Sequence, residues 1–169
     1  EGYQQYSFLP RLRLTYNFSD HAFIRYQGDI SRSTPALSDL NNVEQLIDSL
    51  QIRRGNPTLK MSTVYNNTLN FDYRKGLFSG SLYLLYQYQR KPNMEETIRE
   101  NDLFIRTIAN QRSWQKLNPE IEVKVGPFKD ILSLSVTTGI NYFDSRGHNY
   151  HHTYTNWYYR ASIRSEEHT

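Results

Sequence analysis

Three histidines near the end of the chain have the clearest capacity for metal chemistry. His148, His151 and His152 lie close together in sequence, and imidazole nitrogens are common ligands of zinc. His151 and His152 are adjacent, so in a β-strand they point to opposite faces and cannot bind the same ion. His148 could share an ion with either of them, but no carboxylate follows at a spacing that would complete a site. The sequence therefore predicts no metal and no other cofactor.

Paired acids and serines are the next candidates, because they could act in acid–base or nucleophilic catalysis. Glu120 and Glu122 lie two residues apart, which puts them on one face of a strand, whereas Glu95 and Glu96 are adjacent. A solvated polar face explains such pairs more simply than a general acid and base do. The stretch Ser79–Ser81 has neither a nucleophile elbow nor a suitable histidine partner. We therefore expect a protein that is not an enzyme.

The remaining candidates are a glycine-containing turn and two tryptophans. Gly55 and Asn56 tolerate turn dihedrals and Pro57 fixes the exit of the chain, so this stretch predicts a turn that leads into a strand and not a phosphate loop. Trp114 and Trp157 could stack on a sugar ring. Tryptophan is also enriched at membrane–water interfaces, and we expect interfacial anchoring for both residues.

The composition restricts the class of protein that could position these residues. Of 169 residues, 37% are hydrophobic and 14% are aromatic, and no apolar run approaches the ~20 residues that a membrane helix needs. The aromatic content argues against disorder, so many strands with one apolar face are favoured. Cysteine is absent, which excludes disulfide scaffolds and thiolate metal sites. A net charge of +3 is too balanced to predict a nucleic-acid partner.

Apolar and polar residues alternate most clearly in the hairpin Tyr65–Gln89. One face of both arms is apolar and ends in tyrosines, and the other is polar except for Leu85. Long arms of this kind are typical of strands that cross a bilayer with their apolar side chains toward lipid. The residues predicted to face lipid are Leu12, Leu14, Tyr16, Ile24, Tyr26, Leu69, Phe71, Tyr73, Leu82, Leu84, Tyr86, Ile121, Val123, Leu134, Val136, Ile140, Trp157 and Tyr159. The opposite face carries charges that would be costly in lipid, namely Arg11, Arg13, Arg25, Asp72, Lys124 and Arg160.

The same alternation predicts seven strands along the chain. They are Tyr3–Phe18, His21–Ile30, Met61–Arg74, Ser79–Lys91, Arg112–Val125, Asp130–Phe143 and Tyr150–Ile163. Short turns follow the first, third and fifth strands. Longer polar segments follow the others, with a helical turn expected within 39–50 and a ladder extension expected at Leu103 and Ile105.

These connections predict the architecture. Alternate connections of an up-and-down meander lie at the same end, so the short turns gather at one end and the long loops at the other, as in outer-membrane barrels. We predict an all-β fold, an antiparallel up-and-down meander of about seven long strands. It would form a partial transmembrane β-barrel, and an open curved sheet as an isolated fragment. Because single-chain barrels have at least about 8 strands, further strands are expected beyond this chain.

Both ends of the sequence are expected to be internal to a longer protein. The chain does not begin with Met, and its start lacks the basic and then apolar pattern of a signal peptide. Residues 164–169 read RSEEHT, which is the translation of the first codons of a common sequencing-library adapter. We interpret 1–163 as the barrel fragment and 164–169 as a non-native tail.

A loop motif after the second strand carries a resemblance to a known family. Its residues are Pro35, Leu37, Leu40, Gly55, Asn56, Pro57 and Leu59. In this motif the chain is similar to the barrel region of TonB-dependent receptors, and most of all to the outer membrane β-barrel proteins of Bacteroidetes-type bacteria. The family often continues with Pro-Glu, where this chain has Met61 and Ser62.

This resemblance implies a bacterial outer-membrane location and a role in the uptake of scarce nutrients. It also implies an N-terminal plug that fills the barrel and a TonB-type complex that supplies energy, with outer-membrane lipid as the surroundings. Two other functions stay open. One is a soluble or surface-attached β-sheet module that binds glycans, whose apolar faces would meet in a sandwich. The other is an outer-membrane barrel with a structural or adhesive role and no plug.

Overall fold

The computed structural model describes residues 8–128 and 132–165. The elements in chain order are β1 (Arg11–Ser19), β2 (Ala22–Ser33), α1 (Leu37–Leu40), β3 (Gln45–Asp48), β4 (Gln51–Arg53), β5 (Ser62–Lys75), β6 (Phe78–Arg90), β7 (Asn93–Glu100), β8 (Leu103–Asn110), β9 (Ser113–Phe128), β10 (Leu132–Arg146) and β11 (His151–Ser165). In these ranges no helix is long and apolar enough to cross a membrane.

The long strands form one seven-stranded sheet in the order β1-β2-β5-β6-β9-β10-β11, and every neighbouring pair is antiparallel. This order confirms the predicted meander and its open form, with β1 and β11 as the end strands. The predicted start at Tyr3 lies outside the described residues. So do 166–169, although β11 itself continues to Ser165, and the division at residue 163 stays a prediction.

Tight turns join the long strands at one end of the sheet, which we call the turn end. The β5–β6 connection is only Gly76 and Leu77, and the strands pair up to Lys75 opposite Phe78. Gly76 has a φ of 57°, a left-handed conformation that glycine adopts without a steric penalty. We call the opposite end of the sheet the loop end.

At the loop end one hairpin extends the sheet well beyond its neighbours. The β7–β8 pairing continues the β6–β9 pairing in the same register, from Phe78 opposite Val125 to Glu100 opposite Leu103. Backbone hydrogen bonds bridge the junction, including one of 2.8 Å from Gln111 to Pro92. The hairpin closes through two residues with positive φ, as a type I′ turn requires. The expected ladder extension is therefore confirmed.

The first long loop adds two short strands to this hairpin and forms a second, four-stranded sheet in the order β3-β4-β8-β7. The helical turn expected within 39–50 is largely wrong. The helix ends at Leu40, and Gln45–Asp48 is strand β3. Tertiary context explains the difference, because β4 pairs with β8 in parallel and β3 then completes an antiparallel hairpin.

The predicted third long segment, 144–149, is also wrong. β10 and β11 stay paired up to Arg146 opposite His151, so only 147–150 connects them. The polar residues there indicated a loop, but they belong to strands that continue past the apolar part of the sheet. The predicted separation of short turns at one end and long loops at the other therefore depends on only two long segments, 34–61 and 91–112.

Few side chains are buried, because the seven-stranded sheet is a single layer. The buried hydrophobic residues of the described ranges are Ile52, Ile105 and Ala109, all of them at the loop end. Within those ranges no second sheet covers the apolar side chains of the long strands. This arrangement differs from the sandwich that a soluble β-sheet module would need.

Candidate functional site

The strand register puts all the residues predicted to face lipid on one side of the seven-stranded sheet, which we call the apolar face. Residues opposite each other in antiparallel strands share a face. One such row crosses every strand, namely Tyr16, Ile24, Phe71, Leu82, Ile121, Thr138 and Tyr159. The other predicted residues lie an even number of positions from members of this row. Their contact with lipid stays a prediction.

The apolar face has the height of a membrane-spanning band. On β6 it runs from Phe78 to Tyr88, which corresponds to about 25 Å for a strand tilted as in outer-membrane barrels. Aromatic pairs mark both ends, with ring centroids 6.1 Å apart for Tyr73 and Phe78 and 6.0 Å apart for Tyr65 and Tyr88. Rings at both borders of an apolar band are typical of outer-membrane barrels.

The opposite side of the sheet, the polar face, is held by hydrogen bonds between side chains of neighbouring strands. Asn66 donates to Asp29 at 2.9 Å, and Gln87 donates to Asn66 at 2.7 Å, so one chain of contacts crosses β2, β5 and β6. Arg13, one of the predicted polar-face charges, donates to Gln27 at 2.9 Å. These contacts fix polar groups on a surface that has no apolar cover.

Pro119 lies in the middle of β9, and the sequence alone did not reveal how the strand compensates for it. Pro119 has no N–H to donate, and the β9–β10 pairing is interrupted beside it. The side-chain amide of Asn118 instead donates to the carbonyl of Ile140 at 2.8 Å. An unpaired backbone carbonyl is costly inside a membrane, so Asn118 supplies the hydrogen bond that Pro119 cannot.

Gly139 allows a tyrosine to lie across β10 at the same level. The Tyr158 hydroxyl donates to Glu120 at 2.6 Å and accepts from Asn118 at 3.3 Å. A Cβ on Gly139 would lie 2.5 Å from the Tyr158 oxygen, so a larger residue would displace this ring. Glu120 is thus tied to Tyr158 through this hydrogen bond.

The polar face is concave at the turn end. A cavity of about 960 Å³ lies there. Its polar and charged lining includes Asn17, Asp72, Arg74, Ser79, Ser81, Glu122 and Lys124. A sheet that is concave and polar on one side and apolar on the other has the curvature of a barrel wall with a polar interior.

The loop motif fixes segment 34–61 against the hairpin. A Cβ on Gly55 would lie 2.3 Å from the carbonyl oxygen of Asn41, so only glycine fits at this position. Asn56 accepts from the Thr58 amide at 2.9 Å and donates to the carbonyl of Ile108 on β8 at 3.1 Å. The predicted turn is confirmed, and Asn56 also attaches it to the second sheet.

The other motif residues lie around this turn and not on the long strands. Leu37 and Leu40 are the first and last residues of α1, and Leu37 is exposed. Pro35 precedes α1, and Leu59 closes the turn through a 3.3 Å backbone hydrogen bond to Asn56. The motif is therefore a property of the loop end.

The three histidines have three different sets of partners. His151 lies 3.2 Å from a carboxylate oxygen of Asp144, and the His152 ring stacks on Tyr150 at 5.1 Å. The His148 side chain lies 3.6 Å from Glu96. The arrangement links the tips of β10 and β11 to the β7–β8 hairpin and does not gather the imidazoles.

Asp144 is the most buried carboxylate near these histidines, and it lies past the apolar band. The hydrogen bond from Arg146, 3.1 Å long, is the main reason why the pKa of the Asp144 carboxyl is below its ordinary value. The hydrogen bond with His151 acts in the same direction, and burial opposes both. Asp144 is therefore an ionised, paired group at neutral pH.

The two tryptophans lie on opposite faces. Trp157 is opposite Ile140 on the apolar face and is 72% exposed, and its interfacial anchoring stays a prediction. Trp114 is opposite Gln89 and Ser145 on the polar face, so interfacial anchoring is wrong for this residue. Its ring centroid lies 6.1 Å from that of Phe143, which is 6.2 Å from that of Tyr154.

Together these features define a class of protein. A single-layered antiparallel sheet with an uncovered apolar band on one face and a concave polar surface on the other is the wall of a membrane-spanning β-barrel. The model of the Outer membrane protein beta-barrel family matches residues 2–168, and the chain belongs to this family. It is a protein of the bacterial outer membrane.

Solved structures agree with this family. The chain is similar to the crystal structure of the siderophore receptor PirA from Pseudomonas aeruginosa, with a TM-score of 0.65 and 14% identity. The match covers 88% of this chain and 34% of the receptor, so the chain spans about a third of that structure. The predicted resemblance to receptor-like outer-membrane barrels is confirmed in fold and family. Comparison with curated proteins gives no match.

Proposed function

We propose that this chain is part of the membrane-spanning barrel of a TonB-dependent outer-membrane receptor that takes up a nutrient. Its proposed surroundings are outer-membrane lipid on the apolar face, and the rest of the barrel and an N-terminal plug on the polar face. A TonB-type complex would supply the energy. The proposal includes no catalytic step.

The polar face is the observation that carries this proposal. Its charged residues, among them Arg25, Asp72 and Lys124, share one concave side of a sheet whose other side is apolar. Such charges are costly in lipid but are solvated or paired inside a barrel. A polar interior is what a plug or a passing solute needs, and the fold similarity to a siderophore receptor supports the same function.

The first test is long-read sequencing of the gene on both sides of this segment. We expect an upstream signal peptide and plug domain, and further alternating strands in place of 164–169. The second test measures uptake by cells that express the complete protein, with and without a protonophore that removes the inner-membrane proton gradient. Uptake that continues at the same rate without the gradient, or a gene with no plug, would contradict the proposal.

An adhesive barrel without a plug is a second candidate, favoured by strand β3. All four residues of β3 are exposed, and Leu46 is 76% exposed at the edge of the loop-end sheet. An exposed apolar edge strand can pair with another chain. The adhesive function predicts that Leu46→Lys abolishes cell–cell or cell–matrix attachment. The receptor function predicts that nutrient uptake does not depend on such attachment.

A further inference from the structure

The function proposed above does not explain a row of aromatic rings on the polar face. The row consists of Trp114 on β9, Phe143 on β10 and Tyr154 on β11, and we call it the aromatic row. Neighbouring centroids are 6.1 Å and 6.2 Å apart, and neighbouring planes are inclined by 40° and 39°. All three side chains are at least partly exposed, with 59% of Tyr154 accessible. A soluble ligand inside the barrel could therefore reach these rings.

The position of the row separates it from the membrane anchors. Phe143 follows Tyr142, the last aromatic residue of the apolar face on β10, and its side chain points to the opposite side of the sheet. The row thus lies at the loop end, at the entrance to the polar interior. Aromatic rings on this side do not contact lipid, so membrane anchoring does not account for them.

The neighbours of the row are mostly uncharged hydrogen-bonding groups. Gln89 is opposite Trp114 on β6, and Gln87 is the next residue on the same face. Asn156 lies on β11, two residues from Tyr154 and on the same face. One cation also contacts the row, since the ammonium nitrogen of Lys116 lies 5.5 Å from the Phe143 centroid. Rings flanked by amides suit a ligand that has apolar faces and many neutral polar groups.

We propose that the aromatic row binds an oligosaccharide, with consecutive sugar rings stacked on consecutive side chains. The C–H groups on the face of a sugar ring meet the negative face of an aromatic ring, while amides pair with the hydroxyls. The spacing of the rings is close to the length of one sugar unit in a linear chain. The inference rests on the proposed uptake function and specifies its substrate class.

Calorimetry on the complete protein in detergent tests this site. The probes are maltohexaose, cellohexaose and mannohexaose, and a ferric tris-catecholate serves as an aromatic, anionic comparison. We expect at least one sugar to bind, and Trp114→Ala and Phe143→Ala each to weaken that binding by about tenfold. Trp157→Ala removes the same side chain from the apolar face and is expected to leave the affinity unchanged.

A second pair of variants keeps the test decisive if an alanine variant does not fold, as judged by its heat-modifiable gel mobility. Phe143→Leu removes the ring but keeps apolar volume, and it should weaken sugar binding as Phe143→Ala does. Lys116→Met should leave the affinity for a neutral sugar unchanged within about twofold. Binding of the catecholate alone, with a loss in Lys116→Met, would overturn the sugar assignment.

The remaining outcomes also decide the question. If none of the sugars binds, or if Trp114→Ala and Trp157→Ala have equal effects, the inference is wrong. Calorimetry needs no proton gradient, so its result is separate from the test of uptake. Gradient-independent uptake together with Trp114-dependent sugar binding would refute the proposed function and leave the binding site in place.

Discussion

Leu84 and Leu85 offer a matched test of which face of the sheet meets the lipid. They are adjacent and identical in type, but Leu84 is opposite Leu69 on the apolar face, whereas Leu85 is opposite Thr68 on the polar face. Arginine at either position therefore changes the same side chain to the same charge. Only the surroundings of the new guanidinium differ between the two variants.

The size of the effect follows from the depth of Leu84. The apolar band on β6 ends at Tyr88, so Leu84 lies about 10 Å inside it for a strand with barrel-like tilt. Arginine near the midplane of a barrel costs about 2–4 kcal/mol, which is a factor of about 30 to 1,000 in the folding equilibrium. On a solvated polar face, Leu85→Arg should change the free energy of unfolding by only about 0.5 kcal/mol.

The assay is guanidinium unfolding of the complete protein in phosphatidylcholine vesicles, followed by tryptophan fluorescence. The free energy of unfolding is compared among the wild type, Leu84→Arg and Leu85→Arg. A larger cost for Leu85→Arg would show that the faces are assigned in reverse. Equal and small costs for both variants would mean that this part of β6 is not in lipid, and the apolar band would need another explanation.

Three further predictions concern contacts that single residues make. Asn118→Ala should destabilise the protein by about 1–3 kcal/mol, because it leaves a β10 carbonyl without a donor. Adding Pro119→Ala should recover much of this loss in the same unfolding assay, and a double variant no more stable than the single one would contradict the compensation. Gly139→Val should cost about 1–3 kcal/mol by displacing the tyrosine that lies across it, and a cost near zero would refute that contact. The depressed pKa of Asp144 means that its contribution to stability is complete above the unfolded-state pKa of about 4 and is lost as the pH falls through the folded-state value. Arg146→Met removes the main cause of the lowered pKa of Asp144. Amide exchange in the β10–β11 turn should therefore accelerate at a higher pH than in the wild type. An unchanged pH profile of amide exchange would contradict the assignment.

The sequence was sufficient to predict the long strands, because apolar and polar side chains alternate along a strand that has one apolar face. Across β5 and β6 the alternation continues with few exceptions, such as Leu85, so both the pairing and the face of most residues follow from it. The same argument was available for Trp114. The alternation that puts Ile121 and Val123 on the apolar face puts Trp114 on the other side, but its residue type alone suggested an interfacial anchor.

The loop-end sheet could not be predicted in the same way. Strand β4 has only three residues, Gln51–Arg53, and its partner β8 is distant in sequence and runs parallel to it. Such a pairing leaves no periodic signal in a short polar segment. The sequence also did not reveal the role of Asn118. That role depends on the carbonyl of Ile140 in the neighbouring strand, to which Pro119 has no N–H to donate.

The contacts at the loop end determine which part of the molecule can change shape above the polar face. The β7–β8 hairpin continues the ladder of the barrel wall in one register, so it cannot move by itself without breaking backbone hydrogen bonds. Segment 34–61 is held differently, through the short β4–β8 pairing and through side chains such as Asn56 and Asn110. These contacts are fewer than those of a long ladder, so a change of shape at the loop end would begin with this segment. The recognisable motif, Gly55 and Asn56, lies at this attachment, which explains why the loop carries a more specific sequence signal than the wall.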